Sequence, residues 1–146
     1  YLYNVERLLR KFETAKTLVP QPVRRDAARA TRFGVLYYGS TSPAMDEAFD
    51  SLHALGVHVD LLRLRAFPFS AAVDQFIEAH EHVFVVEQNR DAQLKMMLVN
   101  ECGIDPQKLI SILHYDGNPL TERFVTREIA EKARLFNVTP LRKVAR

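Results

Sequence analysis

Apolar residues at Val5, Leu8, Leu9, Phe12, Ala15 and Val19 recur at i, i+3, i+4 and i+7, the spacing of one face of an α-helix. Asn4 is the expected N-cap of that helix. Pro20 and Pro22 end it, because proline lacks the N–H for the next hydrogen bond and disfavours a helical predecessor. Residues 21–31 carry few apolar anchors and read as a linker or an edge segment. The period then changes. Residues 32–38 form a short apolar run that ends in Gly39-Ser40-Thr41-Ser42, the pattern of a buried strand. Ser42-Pro43 opens a helix with Met45, Ala48, Phe49, Leu52 and Leu55 on one face, and Gly56 stops it.

The same alternation continues to the end of the chain. Residues 57–64 predict a second strand, with Val57, Val59 and Leu61 alternating against His58 and Asp60. Pro68 and Ser70 mark a turn, and Ser70 is placed to cap a short helix carrying Val73, Phe76 and Ile77. Residues 82–87 predict a third strand. Val83-Phe84-Val85-Val86 is apolar on both faces, as in a parallel sheet covered by helices. A helix with Leu94, Met97 and Leu98 follows, closed by Gly103. Residues 109–114 predict a fourth strand, Asp116-Gly117-Asn118-Pro119 a turn, and Thr121 the cap of a last helix bearing Val125, Ile129, Ala133 and Phe136. Strands alternating with helices in this way predict an α/β fold with a mostly parallel sheet and helices on both faces.

Composition narrows the function classes. The 146 residues suit one domain with a full core. The net charge of +2 is far from the clustered excess that nucleic-acid binding needs. Arg24, Arg25, Arg29 and Arg32 are not interleaved with aromatics and read as a solvated stretch, so no nucleic-acid partner is expected. One cysteine, Cys102, cannot make an internal disulfide, an iron–sulfur cluster or a structural zinc site, and a cytoplasmic, reducing setting fits it. No apolar run approaches the roughly 20 residues that span a bilayer, so no membrane partner is expected. The charged first ten residues do not read as a signal peptide. A start without methionine suggests a piece of a longer protein.

Ligands of open α/β sheets sit off the carboxyl ends of the strands. Three polar segments fall there. Gly39-Ser40-Thr41-Ser42 opens a helix and reads either as a tight turn with a cap or as an anion seat. It lacks the glycine and lysine spacing of phosphate loops. Glu87-Gln88-Asn89 leaves the most apolar strand. Glu87 reads either as an acid or base, or as a cap that holds the next helix or loop. Asp116-Gly117-Asn118 reads as a β-turn, since the order differs from the Gly-Asp-Gly of a thiamine diphosphate metal motif. His53, His58, His80, His82 and His114 show no metal-ligand spacing. Ser40, Ser42 and Cys102 have no histidine base at a motif spacing.

In their order, several strings resemble one family: Gly39-Ser40-Thr41 with its following helix, Leu61-Leu62-Arg63-Leu64-Arg65 with Phe67-Pro68, Val83-Phe84-Val85-Val86-Glu87-Gln88-Asn89 with Gln93-Leu94, and Tyr115-Asp116-Gly117-Asn118-Pro119. Over residues 5–135 the chain resembles the C-terminal domain of the alpha subunit of 2-oxoacid:ferredoxin oxidoreductases, the 2-oxoglutarate type especially. The resemblance implies a transketolase C-terminal-like, three-layer α/β/α sandwich with one antiparallel strand, expected near residues 19–24. It implies residues 1–30 as a helix and linker from a preceding domain, and residues 31–146 as the domain itself.

The resemblance also implies a role in oxidative decarboxylation of a 2-oxoacid to its acyl-coenzyme A, with electrons passed to ferredoxin. Thiamine diphosphate, magnesium and iron–sulfur clusters carry that chemistry elsewhere in the assembly, none of them bound by this domain. The beta subunit and the N-terminal part of the same subunit are the implied partners. No catalytic or metal residue is expected here. Gly39, Ser40, Thr41, Glu87, Asn89 and Gln93 are the candidates for an interface or a ligand. Where the family's Asn-x-x-Gly-Gln-Leu pattern has glycine, this chain has Ala92. Alanine is small and a good helix former, so little structural change is expected. The competing readings are a stand-alone α/β small-molecule or nucleotide-binding module that uses the Gly39 turn, and a response-regulator-like domain, for which Asp60 and Glu87 make a poor acidic cluster.

Overall fold

The computed structural model describes residues 1–137. Its elements are α1 (Leu2–Leu18), β1 (Val23–Arg25), β2 (Phe33–Tyr38), α2 (Ser42–Ala54), β3 (Asp60–Leu64), α3 (Ala71–Glu78), β4 (His82–Glu87), α4 (Gln93–Cys102), β5 (Leu109–Leu113) and α5 (Glu122–Asn137). The strands form one five-stranded sheet in the order β1-β3-β2-β4-β5. The pairs β2–β3, β2–β4 and β4–β5 are parallel, and β1 runs antiparallel to β3 with Val23 opposite Arg63.

Side-chain alternation along the central strands builds two cores. Val35, Tyr37, Phe84, Val86 and Ile112 face Met45 and Leu52 of α2 and Val125 and Ile129 of α5. Leu36, Leu62, Val83, Val85 and Leu109 face Val73 and Phe76 of α3 and Leu94 and Leu98 of α4. A strand covered on both faces is apolar on both, which is why Val83-Phe84-Val85-Val86 of β4 reads as an unbroken run. The result is a three-layer α/β/α sandwich, mostly parallel with one antiparallel strand. Gly34 admits the α3 layer at close range. A Cβ there would stand 2.7 Å from Phe76 Cε1 and 3.1 Å from His80 Cγ. Contacts tighter than about 3.0 Å force a shift, and overpacking of this kind costs about 1–3 kcal/mol.

Several local expectations shift. The helix α1 begins at Leu2 with Tyr1 in the N-cap position, so Asn4 lies within its first turn. The antiparallel strand falls at Val23–Arg25, in the segment read as a linker or an edge, and all three of its residues are exposed. β3 starts at Asp60 rather than at residue 57, because Val57 N–H still donates to Leu52 O (2.9 Å) and finishes the helical turn. Ser70 occupies the N-cap of α3, yet its hydroxyl is buried without a partner among the described residues. Thr121 accepts from Phe124 N–H at 3.3 Å, as a cap does.

Side chains fasten the outer elements. Asp60 accepts from Ala27 N–H (2.8 Å) and from Arg24 Nη2 (3.3 Å), and lies 3.0 Å from His80 Nε2. His80 Nδ1 donates to Phe76 O at 2.7 Å, so this buried ring ties α3 to the start of β3. Arg32 Nη2 donates to Phe136 O at 3.1 Å, and the His82 and Phe136 rings stack with centroids 3.9 Å apart. At the β5 edge, Lys95 Nζ donates to Leu109 O at 2.7 Å, covering a carbonyl that an incoming strand would use.

Candidate functional site

The carboxyl ends of β2, β3 and β4 open on one side of the sheet, and the candidate polar segments meet there. After β2 the backbone turns at Gly39, whose φ of +60° suits a residue without a Cβ. Residues Gly39–Thr41 form a tight helical turn that leads into α2 with Pro43 in its first turn. Thr41 is buried. Gln88 Nε2 reaches across from the end of β4 to Ser40 Oγ (3.1 Å) and Thr41 Oγ1 (3.3 Å), which pins the two loops together.

Glu87 is wholly buried at 0% exposure. A bare carboxylate in that position would be costly, and its oxygens are fully engaged. Oε2 accepts from Leu94 N–H (2.7 Å) and from Asn89 Nδ2 (2.7 Å), and Oε1 accepts from Lys95 N–H (3.3 Å). Asn89 Oδ1 accepts from Asp91 N–H (3.1 Å) and Gln93 N–H (3.2 Å). Met96 N–H bonds to Ala92 O at 3.0 Å. Every N–H of the first turn of α4 therefore has a partner, and the negative charge of Glu87 sits at the positive end of the helix. Of the two readings of Glu87, the geometry is that of the cap.

This arrangement corrects the expectation for Ala92. It lies before the helix, not in it, with φ 52° and ψ 46° at the N-cap of α4. That left-handed backbone is where glycine is favoured, so helix propensity has no bearing there.

Between these loops lies an open cleft of about 400 Å³. Its walls include Tyr38, Gly39, Arg65, Phe67, Gln93 and Met97. Of the sequence candidates, Gly39 and Gln93 line it, while Ser40, Thr41, Glu87 and Asn89 hold the loops that shape it. Arg65, Tyr38, Phe67 and Met97 were not singled out as site residues. The available signal was Arg65 and Phe67 directly after an apolar strand, at the edge where ligands collect. Arg65 makes no ion pair among the described residues.

The remaining reactive groups are elsewhere or quenched. Burial, and then the neighbouring Asp74 carboxylate, push the Cys102 thiol up to about 12, the opposite of an activated nucleophile. The exposed Asp116 carboxyl is held down first by the backbone N–H of Asn118, the signature of a turn. Its Oδ1 lies 3.4 Å from His114 Nε2. Burial raises the Tyr37 phenol, with Asp46 adding to it. Among the described residues no group of three or more His, Cys, Asp and Glu side chains is placed to hold a metal ion. No helix of the described residues is long and apolar enough to cross a membrane.

No protein-family model matches the chain, and no curated protein does. Solved structures do. The fold is similar to a 2-oxoglutarate:ferredoxin oxidoreductase from Magnetococcus marinus with 2-oxoglutarate, coenzyme A and succinyl-CoA bound. The TM-score is 0.72 and the identity 23% over 82% of this chain. The chain spans only about a fifth of that protein, 21% of its length. It is also similar to the alpha chain of a probable 2-oxoacid ferredoxin oxidoreductase from Thermoplasma acidophilum. There the TM-score is 0.52 and the identity 25%, over 78% of this chain and 97% of the other. A split-gene transketolase, an inactive beta4 tetramer, matches with a TM-score of 0.56 and 14% identity, over 79% of this chain and 42% of the other. The fold is transketolase-like, and its neighbours include the oxidoreductases that the ordered strings resemble.

Proposed function

We propose that this chain is the C-terminal domain of the alpha subunit of a 2-oxoacid:ferredoxin oxidoreductase, with a structural rather than a catalytic part in the reaction. The whole enzyme would convert a 2-oxoacid, coenzyme A and oxidised ferredoxin to acyl-coenzyme A, carbon dioxide and reduced ferredoxin. Residues 31–146 would form the domain, and residues 1–30 the helix and linker that join it to the N-terminal part of the subunit. The domain would organise the contact with that part and with the beta subunit.

The observation that carries this reading is the state of Glu87. Among the described residues, the one wholly buried carboxylate at the strand-end edge is spent on Leu94 N–H, Lys95 N–H and Asn89. A general acid or base needs free reach to a substrate proton. The single cysteine does not fit an iron–sulfur cluster, and the described residues offer no metal-binding group. In this reading thiamine diphosphate, magnesium and clusters belong to other parts of the assembly, as the resemblance implies. The test is 2-oxoglutarate-dependent viologen reduction by the subunit pair, with coenzyme A, with and without residues 1–146. Loss of assembly and rate together is expected. Full assembly and full rate without the domain would overturn the proposal.

A second reading rests on the cleft. The Arg65 guanidinium, which makes no ion pair among the described residues, lies beside Tyr38, Phe67 and Met97 and suits a ligand with a phosphate and an apolar or planar body. Coenzyme A has both, and it is bound in the Magnetococcus marinus neighbour. On this reading the chain binds coenzyme A alone, and Arg65→Ala weakens that binding about tenfold or more, as loss of a charged hydrogen bond does. A calorimetric titration with no heat for either chain would leave the domain purely structural.

A further inference from the structure

We draw no further inference here: the strongest candidate, the exposed apolar stripe of α1 at Leu8 and Phe12 beside the Phe67 turn, carries nothing because nothing in the structure shows what covers it.

Discussion

A φ of 52° at Ala92 brings a Cβ into the region of backbone space where L-residues are crowded. The left-handed conformation costs such a residue roughly 1–2 kcal/mol. Glycine removes that cost but frees the unfolded chain by about 0.4–1 kcal/mol. Ala92→Gly should therefore raise stability by about 0.5–1 kcal/mol, read as a higher urea midpoint at unchanged slope. A lower midpoint would mean that the alanine methyl is packed rather than strained. This residue also shows where sequence reading stops. The resemblance alone marks position 92, where the family has glycine, and only the fold shows that the chain turns left-handed there before α4 begins. Glu87 is similar. Besides Asn89, its partners are backbone N–H groups seven and eight residues later, which no side-chain motif displays.

At the scale of elements, legibility follows burial. β2 and β4 could be read directly because both their faces are covered, so their central positions, Val35-Leu36 and Val83-Phe84-Val85-Val86, are all apolar. β1 is Val-Arg-Arg, exposed throughout, and exists only through its antiparallel pairing with β3. Only the resemblance pointed to such a strand. The cleft is made by loops from three separate strands, so Arg65 and Gln93 become neighbours only after folding.

The end of α5 gives a pH prediction at this scale. His82 stacks on Phe136 beside Arg32. Burial first, and then the Arg32 charge, hold it below its ordinary 6.5. The unfolded chain therefore binds more protons than the folded one just below that value, and stability rises with pH. The contribution is whole above 6.5 and is lost as the pH falls below it through the lowered folded value. His82→Phe keeps a stacking ring without the titration. Its urea midpoint should fall less than that of the parent between about pH 7 and about pH 5. An equal fall in both chains would assign the pH dependence to other groups.

For the whole molecule, the strand-end edge of this sheet is a frame. Gln88 ties the β2 loop to the β4 loop, while Asn89 and Glu87 seat α4. Proteins of this topology place their chemistry at that edge, and here its buried carboxylate is given over to holding a helix. The fold is shared with a chain several times longer, of which this chain spans only 21%, and with an oxidoreductase alpha chain of which it spans 97%. A role as one part of a larger enzyme agrees with both facts. The most direct measurement is Glu87→Gln in the assembled subunit pair, with viologen reduction and thermal midpoint read on the same sample. A glutamine offers one acceptor oxygen where Glu87 uses two, so a buried N–H loses its partner at about 1–3 kcal/mol. The account predicts a lower midpoint and an unchanged rate per assembled enzyme. An unchanged midpoint with a rate reduced about 100-fold or more, the scale of a lost general acid or base, would contradict it.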